Sequence, residues 1–266
     1  MDGTIYKGGT LFDFTHPFLA QLDDLGISYT FLTNNPSKSH DDYLAHLRKF
    51  GIEAEADQLY TTAQATIEHL QQQYPGAKRL FVLGTPSMCR EFGKAGFQFT
   101  EDSPSDEPDA VVVAFDLTLT YSRLCRASWW IKQGKPFIAT NPDRVCPTDQ
   151  PTVLVDCGAI CACLEQAAGR PPDKVLGKPD PTMLNGILQR HGLRPEEMAM
   201  VGDRTYTDME MARRAGAKGV LVLTGETTRD EAENYTPAPD YILPSLKEFG
   251  DLLCRAKEAN PSALVQ

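Results

Sequence analysis

Short apolar runs that alternate with helical patterns along the whole chain limit its fold more than any other feature. Residues 80–83, 110–115, 136–140, 199–201 and 219–223 are such runs, rich in valine, leucine and phenylalanine. Residues 27–32 form another, ending in the polar turn Thr33-Asn34-Asn35-Pro36; Ser39 then precedes residues 41–50, where Tyr43, Leu44 and Leu47 recur at helical spacing. The runs are nearly continuous rather than alternating, which marks strands covered on both faces. Strands of this kind separated by helices predict parallel βαβ units in an α/β fold. Residues 101–109, acidic and with two prolines, are predicted to be a solvated loop. The last dozen residues are predicted to fray.

Open parallel sheets bind ligands beyond the carboxyl ends of their strands, so chemistry is sought in the turns. Three turns stand out: Thr33-Asn34-Asn35, Lys178 in Gly177-Lys178-Pro179-Asp180, and Asp203 with Asp208 in Gly202-Asp203-Arg204-Thr205-Tyr206-Thr207-Asp208. Taken singly, each has a plainer explanation. Asp203 alone would serve as a helix cap, Asp208 as a helix ion-pair partner, Thr33 and Asn34 as turn formers, and Lys178 as a solvated cation. Trp129 and Trp130 are expected to pack on a helix with partial exposure.

Bulk properties narrow the class. The chain has 266 residues and a net charge of −10, which argues against nucleic-acid and anionic-membrane partners, since both need a basic footprint. No stretch approaches the roughly 20 apolar residues needed to span a bilayer. No basic segment leads into an apolar core at the N-terminus, so a cytoplasmic location is expected. Of the seven cysteines, Cys157, Cys161 and Cys163 crowd one segment without zinc-type spacing and are expected to be small buried hydrophobes. The five histidines show no ligand spacing.

Taken with Met1-Asp2-Gly3-Thr4, the three turns resemble, in order, the four motifs of the haloacid dehalogenase (HAD) superfamily. The string Val201-Gly202-Asp203-Arg204, closing on Thr207-Asp208, is the most specific. Leu32-Thr33-Asn34-Asn35, Ala139-Thr140-Asn141-Pro142-Asp143 and Val175-Leu176-Gly177-Lys178-Pro179 are similar to its NagD-like, 4-nitrophenylphosphatase-like branch. The resemblance implies a Rossmann-like parallel-sheet core, with an inserted α/β cap in the 144 residues between Thr33 and Lys178. We place the cap at residues 77–172 and the core at residues 1–76 and 173–266. Cap closure is expected to exclude water, and a homodimer through the cap is part of the expectation.

The function implied is phosphatase action on a small phosphorylated metabolite through an aspartyl-phosphate, with Mg²⁺ as cofactor. Asp2 matches the general acid/base, Thr33 the hydroxyl donor to the transferring phosphoryl group, and Lys178 the positive charge beside it. Asp203, Asp208 and the backbone carbonyl of Asp2 match the Mg²⁺ ligands. Gly3, Thr33, Asn34 and Asn35 are expected at the phosphate, and Asp143 and Arg144 at the variable part of the substrate.

Within this pattern the nucleophilic aspartate belongs immediately before Met1, at the end of a central strand. Such a strand buries about four large aliphatic side chains, each contributing roughly 1.5–3 kcal/mol. Its loss would remove about 6–12 kcal/mol, comparable with the roughly 5–15 kcal/mol net stability of a domain. The chain is therefore expected to begin at an internal methionine of a longer protein. If Met1 is the true start, a non-catalytic phosphate- or metal-binding protein is the alternative; a phosphotransferase of the same superfamily is another.

Overall fold

The computed structural model describes residues 1–34, 39–146 and 151–259. In chain order, β1 (Tyr6–Lys7) and β2 (Thr10–Leu11) precede α1 (Thr15–Leu25), β3 (Phe31–Thr33), α2 (His40–Lys49), β4 (Leu59–Thr61) and α3 (Thr62–Gln73). Next come β5 (Arg79–Leu83), α4 (Pro86–Lys94), β6 (Gln98–Phe99), β7 (Ala110–Val113), α5 (Tyr121–Lys132) and β8 (Phe137–Ala139). The hairpin strands β9 (Val145–Cys146) and β10 (Leu154–Val155) lead to α6 (Cys157–Ala168), β11 (Lys174–Val175) and α7 (Thr182–His191). The chain ends with β12 (Ala199–Gly202), α8 (Glu210–Ala215), β13 (Lys218–Val222), α9 (Arg229–Asn234), β14 (Tyr241–Leu243) and α10 (Leu246–Ala259). It divides into two compact units: Met1–Leu32, Leu47–Leu59 and Leu184–Gln266 form one, and Thr33–His46 with Tyr60–Met183 form the other.

The second unit is built on a five-stranded parallel sheet in the order β11-β8-β7-β5-β6. Side chains along a strand alternate between faces, and here both phases are apolar. Phe81 aligns with Val111, and Val111 with Phe137. That face packs on Trp130 and Ile131 of α5 and on Ile160 and Leu164 of α6. Leu80, Val82, Ala110, Val112 and Ile138 take the other phase, against Leu70 of α3 and Met88 and Phe92 of α4. Helix starts are fixed by caps: Thr61, Thr85 and Thr120 each accept a backbone N–H from three residues on. Phe81 is fully buried at the middle of this packing. Phe81→Ala should therefore cost about 3–5 kcal/mol, read as a lowered urea midpoint; a loss under 1 kcal/mol would contradict this packing.

Cys157 and Cys161 are buried in that core, as expected, whereas Cys163 is exposed because it lies on the outer side of α6. Trp130 is buried and Trp129 half exposed. Residues 101–109 form the expected loop.

The first unit holds a three-stranded parallel sheet, β12-β13-β14, and the antiparallel β1/β2 hairpin. Helix α1 lies against α10, with the Phe18 and Phe249 rings 6.0 Å apart. β3 pairs with β4 in a separate two-stranded sheet. The strand expected at 27–32 is shorter and later, because Gly26 (φ 71°) closes α1 and the Ile27 N–H is spent on the Leu22 carbonyl. At the other end α10 continues to Ala259, so residues 255–259 are helical rather than frayed, and residues 260–266 of that expectation lie outside the described residues. Among the described residues, no helix is long and apolar enough to cross a membrane.

Candidate active site

In the first unit, the residues at issue sit on two tight turns. Gly3 has φ 75° and its N–H bonds to the Tyr6 carbonyl at 2.8 Å, so the chain reverses right after Asp2. Asp2 is exposed, and its Oδ1 accepts the Gly8 N–H at 3.2 Å. The Tyr6 phenol is pushed up to about 12, first by burial and then by the Asp2 charge. Thr4 is buried in the same turn.

Beyond β12 the chain enters a π-helical turn, Thr205–Met209, an irregularity frequent at functional sites. Asp203, just before it, and Asp208, within it, are buried, at 5% and 1% exposure. Asp208 Oδ2 accepts the Arg204 N–H at 3.1 Å, and Asp203 Oδ2 accepts the Glu226 N–H at 2.9 Å. Burial, and then the Asp208 charge, push the Asp203 carboxyl above its usual range; the Glu226 N–H, the Met1 ammonium and Arg204 pull the other way.

In the second unit, the strand ends gather a different set. Thr33 closes β3 and is buried. The Asn34 side chain clamps the Lys178 backbone: its Oδ1 accepts the Lys178 N–H at 2.7 Å, and its Nδ2 donates to the Lys178 carbonyl at 3.1 Å. Gly177 permits this approach, since a Cβ there would lie 2.9 Å from Asn34 Oδ1. Asn34 Nδ2 also reaches Asp143 Oδ2 at 3.4 Å, and Asn141 Nδ2 reaches the same oxygen at 3.2 Å. Asn141 Nδ2 lies 3.4 Å from Asp156 Oδ1, which also accepts the Cys157 N–H at the start of α6. Burial pushes the Asp156 carboxyl up against these hydrogen bonds, and Asp143 adds to the rise. Arg144 is exposed, and its carbonyl accepts the Asp156 N–H at 3.0 Å.

The structure thus brings Asp2, Gly3, Asp203 and Asp208 into one unit, and Thr33, Asn34, Asp143, Arg144 and Lys178 into the other. Asn35 lies outside the described residues. Asn34, expected at the phosphate, has its side-chain amide on Lys178 and Asp143. Sequence reasoning quoted Asn141 within a motif without giving it a role of its own, and passed over Asp156 and the Thr224-Gly225-Glu226 turn. The rule that led to Asp203 would have led to two of these: Asn141 follows the β8 run and Thr224 the β13 run.

Buried carboxylates after β12 in one unit, and a buried threonine and a lysine after strands of the other, are residue types that phosphoryl transfer uses. A family model described as haloacid dehalogenase-like hydrolase matches residues 1–98, and one described as HAD-hydrolase-like matches residues 175–249. An acid sugar phosphatase of Staphylococcus aureus is 32% identical over 93% of this chain and 93% of its own. The solved 4-nitrophenylphosphatase from Thermotoga maritima is 38% identical, covers 94% of both chains and superposes with a TM-score of 0.88. A glycerol phosphate phosphatase from Mycobacterium tuberculosis, solved in complex with magnesium, is 31% identical over 95% of this chain and 76% of its own, with a TM-score of 0.85. The chain belongs to the haloacid dehalogenase-like hydrolase family, in its 4-nitrophenylphosphatase-like branch, and is a phosphatase of that family.

Proposed function

We propose that this chain is a Mg²⁺-dependent phosphatase of a small phosphomonoester, with a sugar phosphate as the favoured class, acting through an aspartyl-phosphate. The observation that carries the reading is the burial of Asp203 and Asp208 just after β12, where burial first and then the charge of Asp208 raise the Asp203 carboxyl. Two such carboxylates repel in a poorly solvated site, and a divalent cation held by oxygen donors removes that cost. Among the described residues, no three His, Cys, Asp or Glu side chains are placed to hold a metal. Mg²⁺ asks for less, since one or two carboxylates with waters and a carbonyl suffice, so the residues fit the ion. Asp203, Asp208 and the Asp2 carbonyl would hold it, and it would supply Lewis-acid polarisation and charge neutralisation at the phosphoryl oxygens. The acid sugar phosphatase and the magnesium complex among the relatives support the same class.

The roles follow from the residue types. Asp2, whose carboxylate is exposed, donates a proton to the leaving alkoxide and then takes one from the attacking water. Thr33 donates a hydrogen bond, and Lys178 supplies charge, to the phosphoryl oxygens. Gly3, Asn34 and Asn35 shape the phosphate site, while Asp143 and Arg144 meet the leaving group. Residues 77–172 act as the cap of a cytoplasmic enzyme and offer a surface for a homodimer.

Phosphate release from a panel of sugar, nucleotide and 4-nitrophenyl phosphates tests this. The protein should turn over with Mg²⁺, lose that turnover on chelation and regain it on readdition. Full activity after chelation would overturn the metal assignment.

A further inference from the structure

The turn after β13, Thr224-Gly225-Glu226, joins both functional turns of the first unit. Thr224 Oγ1 donates to the Gly3 carbonyl at 2.6 Å. A Cβ on Gly225 would fall 1.9 Å from Asp203 Oδ2, and one on Gly3 would fall 2.3 Å from the same oxygen. The Asp203 carboxylate therefore rests between two glycine backbones, in space that any side chain would take. Its Oδ2 takes the Glu226 N–H at 2.9 Å, while the Asp203 carbonyl takes the Thr227 N–H at 3.2 Å. The Glu226 side chain is itself anchored on the Asp203 turn: Arg204 Nε lies 2.8 Å from Oε2, and Tyr206 Oη donates to Oε1 at 2.5 Å.

We infer that residues 224–226 are the positioning element for Asp203: Gly225 makes room for its carboxylate, and Glu226, latched to Arg204 and Tyr206, commits Oδ2 to a backbone N–H so that Oδ1 is presented to the cation. This rests on the reading of Asp203 as a Mg²⁺ ligand. Groups that orient a ligand carboxylate set metal affinity, and their loss typically costs about 10–100-fold. Gly225 is a steric requirement, since an added methyl must displace the carboxylate. Glu226 contributes through its side chain, because the N–H on Asp203 survives any substitution there but its placement does not.

Isothermal titration of the protein with Mg²⁺ alone, beside circular dichroism to confirm folding, tests the inference. Gly225→Ala should weaken Mg²⁺ binding by about 10–100-fold, and Glu226→Ala should lie near the lower end of that range. Glu226→Gln, which keeps an acceptor for Tyr206, should recover part of the loss. If Gly225→Ala fails to fold, the exposed Glu226 pair decides the outcome. Asp203→Asn separates the two levels. Wild-type affinity in Asp203→Asn would remove the ligand reading itself. Lost affinity there, with wild-type affinity in Glu226→Ala, would overturn the positioning role alone.

Discussion

Asp2→Asn should lower the hydrolysis of an alkyl phosphate by about 10²–10⁴-fold, the usual worth of a placed general acid/base. The substitution is gentle on the structure. Asp2 is exposed, and an asparagine oxygen can still accept the Gly8 N–H that Oδ1 accepts now at 3.2 Å. The loss should depend on the leaving group. A sugar alkoxide needs a proton as the bond to phosphorus breaks, whereas 4-nitrophenolate leaves without one. Formation of the phosphoenzyme from 4-nitrophenyl phosphate should therefore be only mildly slowed, while its hydrolysis, which needs the base, should be slowed strongly. A quenched-flow burst of nitrophenol followed by slow turnover is the expected record. An equal loss with both substrates and no burst would show that Asp2 does not move the proton.

Lys178→Ala should cost about 10²–10³-fold in kcat, the scale of removing one fixed electrostatic contact to the reacting oxygens. Asn34→Leu provides the structural counterpart. Asn34 holds Lys178 by two hydrogen bonds to its backbone, 2.7 and 3.1 Å long, without touching its charge. Breaking the clamp strands the Lys178 N–H and carbonyl and frees the loop to shift, so a smaller loss is expected than for Lys178→Ala. The double variant should be no worse than Lys178→Ala alone, because the clamp has no purpose once the lysine is gone. Steady-state kinetics on the four proteins closes this cycle. Fully additive losses would separate Asn34 from the lysine.

The long strands were readable because burial on both faces makes them continuous apolar runs. Residues 80–83, 110–115 and 136–140 became β5, β7 and β8 with only their ends moved. The two-residue strands β1, β2, β6, β9, β10 and β11 left no such trace, since two residues cannot display a period. The same contrast runs through the site. Asp203 was legible because it closes the turn after an apolar run, and Lys178 because Val175-Leu176-Gly177-Lys178-Pro179 resembles a family motif. Asn141 and Thr224 also follow such runs, but their chemistry is ordinary, and nothing local distinguishes a side chain that orders a site from one that ends a strand.

Residue order and type determined the fold class and the turns worth searching, because hydrophobic periodicity and turn composition are local properties of the chain; the kind of chemistry came from the resemblance of those turns to a known family. Which polar atoms remain for a substrate or an ion was decided only in three dimensions. The Asn34 amide is consumed by a lysine 144 positions away, and Thr224 reaches across 221 positions to the Gly3 carbonyl. The room for the Asp203 carboxylate exists because Gly3 and Gly225, at distant points of the chain, both lack a Cβ. Hydrogen bonds and close contacts of this range depend on where folded elements meet, and that geometry is absent from any window of the sequence.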